Sequence, residues 1–293
     1  MLRLSALGLP PVTSTAALAT MVGINQGLLW SLLARPRRYY RTFWIPKGSG
    51  RRKIDAPKVA LKIIQKWLAF QIASTYKAPR HVFGFVSGRS HVDAAKKHLG
   101  CRWVLSLDIE NFFPSTTEAF VMRSLVDIGY TTTSAQILAK LMCLDGGLAQ
   151  GAPTSPVMSN ICCNEVDRRL QQISVSKDIC VTRYADDITL SGVSACPENL
   201  LADVKAVLEG SPWTVSDRKT TYAAAPSRLK VHGLLVDGHK VRLTKGYRNR
   251  LRAFRHLIST RQLDEQDSVM MRGHLAYGDF VREASVGASV DDA

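Results

Sequence analysis

Tyr184-Ala185-Asp186-Asp187 constrains this chain more than any other segment, because two adjacent carboxylates stand between the apolar runs Ile179-Cys180-Val181 and Ile188-Thr189-Leu190. Asp is disfavoured in strands, and neighbouring like charges repel. A tight hairpin turn resolves the conflict by presenting both side chains at one end of a sheet, where a divalent cation neutralises them. A third carboxylate is at hand. Cys101 to Leu107 reads as another buried strand that delivers Asp108 at its C-terminal end, ahead of Ile109-Glu110-Asn111-Phe112-Phe113-Pro114-Ser115. Carboxylates from two strands can clamp a pair of Mg²⁺ ions about 3.5–4 Å apart, the apparatus of nucleotidyl transfer. The bland alternative leaves Asp186 and Asp187 in an ordinary solvated turn.

Between the acidic sites lies Leu148-Ala149-Gln150-Gly151-Ala152-Pro153-Thr154-Ser155-Pro156, a Gly/Pro-punctuated loop. It opens an apparent helix with Val157, Ile161, Val166 and Leu170 near one face. In this order and at these separations the three segments resemble reverse transcriptases: a first catalytic Asp, a Gln-Gly-x-x-x-Ser-Pro loop, then Tyr-x-Asp-Asp. The resemblance implies an α+β, right-hand polymerase fold, with fingers, a palm of antiparallel sheet plus helices, and a mainly helical thumb. The expected divisions are an N-terminal helical region at 1–38, fingers at 39–100 with part of 116–150, palm at 101–236, and thumb and tail at 237–293.

Gross properties agree with a polyanionic partner. The chain has 293 residues and a formal charge of +15, which favours phosphate neutralisation and counterion release. The apolar N-terminal stretch is interrupted by Arg3, Pro10 and Pro11, so no run approaches the roughly 20 residues of a spanning helix. We expect a soluble, cytoplasmic protein with no membrane partner. Six cysteines in mostly apolar contexts show no zinc spacing and read as buried free thiols.

Thr15 to Leu33 reads as two short helices around Gly23, spaced much like a helix-turn-helix, with an apolar second segment that favours packing over base reading. Arg35-Pro36-Arg37-Arg38-Tyr39-Tyr40-Arg41 mixes guanidinium groups with rings, as single-strand binding does, and Arg38 and Arg41 are candidate nucleic-acid contacts. Lys47 to Ile54 reads as a cationic hairpin, and Pro57 to Ile72 as a packed helix. Leu200 to Leu208 is a further amphipathic helix, and Tyr247 to Ile258 another, with Arg248, Arg252 and Arg255 beside an apolar stripe. The tail after Ala284 is expected to fray.

The resemblance implies roles for particular residues. Asp108, Asp186 and Asp187, with the backbone of Ile109, would hold two Mg²⁺ ions, for which Mn²⁺ can substitute. Lys219, in Asp217-Arg218-Lys219-Thr220, would protonate the pyrophosphate leaving group. Lys47 and Arg52 would meet the incoming nucleotide's phosphates or the template backbone, while Gln150 would help hold the nucleotide or the template base and Gly151 would let the backbone come close. Arg89 and His98 would lie along nucleic acid, His232 would sit in a primer-grip strand running from Val231 to Val236, and the three thumb arginines would grip the duplex. Retron-type enzymes often carry Asn-Ala-x-x-His ahead of the catalytic strand; here Ala94 stands at the Asn position, while Ala95 and His98 fit. They usually show Val-Thr-Gly where this chain has Val231-His232-Gly233. The small size and the Arg-Arg-Tyr-Tyr-Arg entry point to this group.

Such an enzyme is an RNA-directed DNA polymerase that copies part of a structured non-coding RNA from deoxynucleoside triphosphates. The family expectation adds a 2′-5′ branched RNA–DNA product and phage defence alongside an effector protein. Competing readings are a group II intron-like or diversity-generating reverse transcriptase, and a catalytically silent nucleic-acid-binding regulator. Phe113, five residues past Asp108, matches the family's steric gate against a ribose 2′-hydroxyl. Phe113→Ala is therefore expected to raise ribonucleotide incorporation in primer extension, and unchanged discrimination defeats the gate assignment.

Overall fold

The computed structural model describes residues 2–48, 50–260 and 264–286. Its contacts divide it into two units that interleave along the chain: the first holds residues up to 79 with 109–169 and 205–215, and the second holds 80–108, 170–204 and 216 onward. Helices α1 (Leu2–Ala6), α2 (Thr15–Val22) and α3 (Gln26–Ala34) open the first unit. Ser14 and Asn25 cap α2 and α3 by accepting from the backbone of Ala17 and Leu28, and Gly23 ends α2 at a left-handed φ of 68°. The two helices are bent by 114°, and Leu29 and Leu32 of α3 are buried, so its apolar side packs. Among the described residues, no single helix is long and apolar enough to cross a membrane.

Strands β1 (Tyr40–Lys47) and β2 (Gly50–Pro57) form the expected hairpin, and α4 (Val59–Thr75) follows. Leu61, Ile64, Leu68 and Ile72 give α4 one buried face at helical spacing. Gln65 on that face is wholly buried, its amide donating to the Tyr40 hydroxyl at 2.8 Å and the Leu141 carbonyl at 2.7 Å. Burial pushes the Tyr40 phenol up to about 12.

The chain then enters the second unit with α5 (His91–Lys96), started by a capping box between Ser90 and Asp93, and β3 (Trp103–Asp108). It returns to the first unit for α6 (Phe112–Ser115), α7 (Glu118–Asp127), α8 (Thr132–Met142) and the short hairpin β4 (Cys143–Leu144) and β5 (Gly147–Leu148). The helix expected after the Gly/Pro loop is two, α9 (Ser155–Cys162) and α10 (Asn164–Ser176), which part at Cys163. Val157, Ile161, Val166 and Leu170 are nonetheless all buried.

Strands β6 (Cys180–Tyr184) and β7 (Asp187–Gly192) join β3 in the second unit, α11 (Leu200–Val207) runs on, and β8 (Thr221–Ala224) completes a four-stranded antiparallel sheet in the order β6-β7-β3-β8. The Val231 to Val236 segment is a correction. It is not one strand but a hairpin, β9 (Lys230–Val231) and β10 (Leu234–Leu235), turning through His232 and Gly233 at φ 49° and 79°. With β11 (Arg242–Leu243) these make a three-stranded sheet whose apolar side joins Val104 and Val281 in one core.

Helices α12 (Lys245–Thr260) and α13 (Glu265–Val286) end the description, so the chain is still helical two residues past Ala284, and the rest of the expected frayed tail lies outside the described residues. All six thiols are free, four of them buried. Gln65→Leu keeps the volume but strips two buried groups of their partner. It is expected to lower unfolding free energy by about 1–3 kcal/mol in denaturant titration.

Candidate active site

The β3–β7 register sets Asp108 directly opposite Asp187, and the β6–β7 register pairs Tyr184 with Asp187, leaving Ala185 and Asp186 as a two-residue turn. Asp108 and the adjacent pair Asp186-Asp187, distant in sequence, thus lie at one end of one sheet. Two-residue hairpin turns need positive φ, which Gly or Asn supplies most cheaply; here Ala185 carries φ 58° and is buried. Its neighbours stabilise it. Arg183, fully buried, donates to the Ala185 carbonyl at 3.0 Å, while its own backbone N–H and C=O bond His81 and Phe83 at 2.8 Å each. Gly84 then lies so close to the turn that a Cβ there would collide with the Ala185 amide, so only glycine permits this approach.

Burial holds the Asp186 carboxyl above its ordinary range, and the charges of Asp187 and Asp108 add to the effect. Asp108 is mostly covered, and its Oδ1 accepts from the Lys219 ammonium at 2.5 Å. Lys219 is delivered by the 3₁₀ turn Asp217–Lys219 just before β8, and that turn is tied to β3 by the Ser216 N–H donating to the Asp108 carbonyl at 2.9 Å. His232 Nδ1 stands 3.7 Å from Asp187 Oδ2, its ring against Tyr184. Among the described residues, no three His, Cys, Asp or Glu side chains are already gathered as ligands around one point. The donor chemistry of the triad is still that of a hard divalent ion, whose charge would offset both the burial of Asp186 and its repulsion from Asp187 and Asp108.

Asp108, Asp186, Asp187, Lys219 and His232 therefore share the second unit and one end of its sheets. Lys47, Arg52, Phe113, Gln150 and Gly151 belong to the first. Lys47 is exposed at the end of β1, and Arg52 is half-buried on β2 opposite Ile45. Phe112 is core while Phe113 is half-buried. Gln150 accepts from the Asp55 N–H through its carbonyl at 2.9 Å, and Gly151, at φ 131°, lets the loop pass close to Asp55 and Ile54 of β2. Arg38 and Arg41 are exposed, Arg41 lying 5.2 Å from the centre of the Phe43 ring. Arg89 donates to the Val82 carbonyl and faces the Phe83 ring, holding the loop that supports the turn. Arg248, Arg252 and Arg255 are exposed along one face of α12.

His98 corrects an expectation. It is 1% exposed, and its two ring nitrogens bond the hydroxyls of Ser191 and Thr182 at 2.7 Å each, so it braces the sheet rather than touching nucleic acid. Burial pushes its pKa down to about 3, which keeps it neutral. Sequence reasoning missed Arg183 and Gly84. The signal for Arg183 was a lone cation within an otherwise uncharged buried strand; for Gly84 there was none beyond a glycine between two aromatic residues.

Residues 45–257 match the family described as reverse transcriptase (RNA-dependent DNA polymerase). The retron Ec86 reverse transcriptase of Escherichia coli is 29% identical over 279 residues, covering 94% of this chain and 87% of that protein. The retron Mx65 reverse transcriptase of Myxococcus xanthus is 34% identical over 300 residues, covering 94% and 70%. Among solved structures, telomerase from Candida albicans superimposes with a TM-score of 0.53 at 12% identity, over 86% of this chain and 57% of that one, a likeness in fold alone.

Because the Asp186 pKa is raised in the fold, the stability it contributes is present below its usual value of 3.8 and lost as pH climbs through the raised value. Asp186→Asn is accordingly expected to raise the melting temperature of the metal-free protein at pH 7, the gain shrinking towards pH 3.8, while abolishing polymer synthesis. A melting temperature unchanged or lower at pH 7 would contradict this account of the charge.

Proposed function

This chain belongs to the retron-type reverse transcriptases and is an RNA-directed DNA polymerase, and from that premise we propose how its residues carry out the reaction and what they make. Asp108, Asp186 and Asp187, with the Ile109 backbone carbonyl, hold two Mg²⁺ ions, for which Mn²⁺ substitutes; bound there, these supply Lewis-acid charge to the reacting phosphate. Lys219 carries the proton that leaves with pyrophosphate. Its ammonium already sits on Asp108, within reach of that site.

Lys47 and Arg52 meet nucleotide phosphates, Gln150 and Gly151 contact the nucleotide or the template base, and the Phe113 ring excludes a ribose 2′-hydroxyl. Arg38, Arg41 and Arg89 follow the template, His232 the primer, and Arg248, Arg252 and Arg255 the duplex backbone, where cations position without reading sequence. The fingers, palm and thumb divide as the sequence suggests, at about residues 39, 101 and 237. The product is single-stranded DNA copied from part of a structured non-coding RNA, joined to it by a 2′-5′ branch, and the system serves phage defence with an effector protein.

The observation that supports this reading best is Asp108 standing opposite Asp187 on neighbouring strands, with Asp186 in the adjoining turn. Asp108→Asn is expected to cut deoxynucleotide incorporation on a primed RNA template by at least about a hundredfold, the scale of losing one transition-state charge contact. The product is read by sequencing copurified nucleic acid before and after debranching. A 2′,5′-linked RNA–DNA species is the expected result; DNA extended from an ordinary 3′ end would favour an intron-like or diversity-generating enzyme instead.

A further inference from the structure

Away from the carboxylates, the second unit contains a cavity of about 460 Å³ bounded by β11, the segment before it, α12 and α13. Arg248, Leu251, Arg252 and Arg255 face it at the three-four-seven spacing of one helical stripe, and Gly278, Val281, Arg282 and Ser285 face it from α13. The two helices press together at its base, where a Cβ on Gly278 would run into Leu251 Cδ1.

The lining is of two kinds. Val241, Leu251 and Val281 are almost fully buried and, with half-buried Leu243, make an apolar floor. Lys240, Arg242, Arg248, Arg252, Arg255 and Arg282 are exposed and make a cationic rim. Asp279 is the acidic residue of the lining, and it braces Arg282 at 2.7 Å and Arg255 at 3.5 Å. Arg242 is held by Asp237 at 2.7 Å. Among the described residues, Arg248 and Arg252 have no carboxylate within ion-pair distance. The Ser285 hydroxyl, bonded to the Val241 and Val281 carbonyls, keeps lone pairs that can accept from an amino group.

A surface that only tracks a duplex backbone needs cations and no apolar recess. Small-molecule recesses of roughly 300–1,000 Å³ suit a heterocycle with its sugar, and the floor here offers a face for the ring while the rim offers guanidinium groups for phosphate. A paired base is closed in its stack, so only an unpaired one can enter. The rim also carries more positive charge than one phosphodiester needs, which points to a polynucleotide whose phosphates continue on both sides. We propose that this cavity receives a single unpaired nucleotide of the RNA that the enzyme binds, the base on the Leu243, Leu251 and Val281 floor and the flanking phosphates on the arginine rim. The proposal rests on the RNA-directed polymerase assignment and adds to it a recognition site for a bulged or looped-out position.

The test uses the full-length protein and three versions of one RNA hairpin: fully paired, carrying a single purine bulge, and carrying an abasic residue at that bulge. The bulged RNA is expected to bind about tenfold tighter than the paired one, with the abasic version losing most of that gain, the scale of burying one small apolar face. A 6-thioguanosine at the bulge is expected to crosslink to peptides containing Leu243 or Leu251. Leu243→Trp, which fills the floor and leaves every arginine in place, is expected to erase the bulge preference; should that variant fail to melt cooperatively, the abasic comparison in the unmodified protein decides alone. Equal affinity for the three RNAs, or crosslinks confined to other peptides, would overturn the proposal, and competition by adenosine monophosphate at equal concentration would reassign the pocket to a free nucleotide. Extension of an oligo(dT) primer on poly(rA) by the same preparation reads the polymerase assignment independently, so failure of one is told apart from failure of the other.

Discussion

The pairing of Asp108 against Asp187 is the constraint on which the second unit is organised. Like charges directly opposite each other on neighbouring strands destabilise a sheet, so this register persists only because the rest of the structure over-determines it. Leu105, Leu107, Ile188 and Leu190 bury the strands that carry the pair, and a one-residue slip would turn this apolar set to the wrong face. Lys219 then neutralises Asp108 from the turn before β8, and Arg183 and Gly84 hold Ala185 in a backbone conformation that alanine rarely adopts. The carboxylates are kept close at a cost, and their repulsion adds to burial in holding the Asp186 carboxyl above its ordinary range.

The same logic of enforced proximity recurs in the first unit. Gly151 lets the Gln150 loop pass against β2, Asp55 is buried with the Thr42 hydroxyl on its Oδ1 at 2.6 Å and Lys53 on its Oδ2 at 3.2 Å, and Asp145 gathers Arg37 and Lys53. The cationic hairpin is therefore fastened through Thr42, Lys53 and the buried Asp55 rather than left as a loose arm. Cations on a fixed scaffold lose less entropy on binding than cations on a mobile one. In the second unit, α13 is tied to the neighbourhood of the Ala185-Asp186 turn through Tyr277, whose hydroxyl bonds His91, the ring of which lies edge-on to Tyr184.

The parts legible in the sequence were those governed by short-range rules. The strand before Asp108, the hairpin around the Asp pair, the cationic hairpin, the amphipathic helices and the capped N-terminal helix pair all follow from periodicity, capping residues and charge. The polymerase assignment came from three segments in order, and the family match and the retron relatives agree with it. The misreadings share a cause. Val231 to Val236 looked like a continuous strand because its apolar residues hide a turn at His232-Gly233, and His98 looked available because a histidine beside lysines gives no sign that Ser191 and Thr182 will bracket it from two strands.

Residue type and spacing by themselves pointed to a place that concentrates carboxylates and favoured a polyanionic partner for the positive excess. Those are local and additive properties, which composition and order along the chain express directly. Which carboxylate faces which, that a buried arginine and a side-chain-free glycine shape the turn, and that six cations of the second unit ring an apolar recess, were decided only by tertiary packing. These features depend on contacts between residues tens of positions apart, whose pairing is chosen by burial of the whole core and not by any neighbour in the chain.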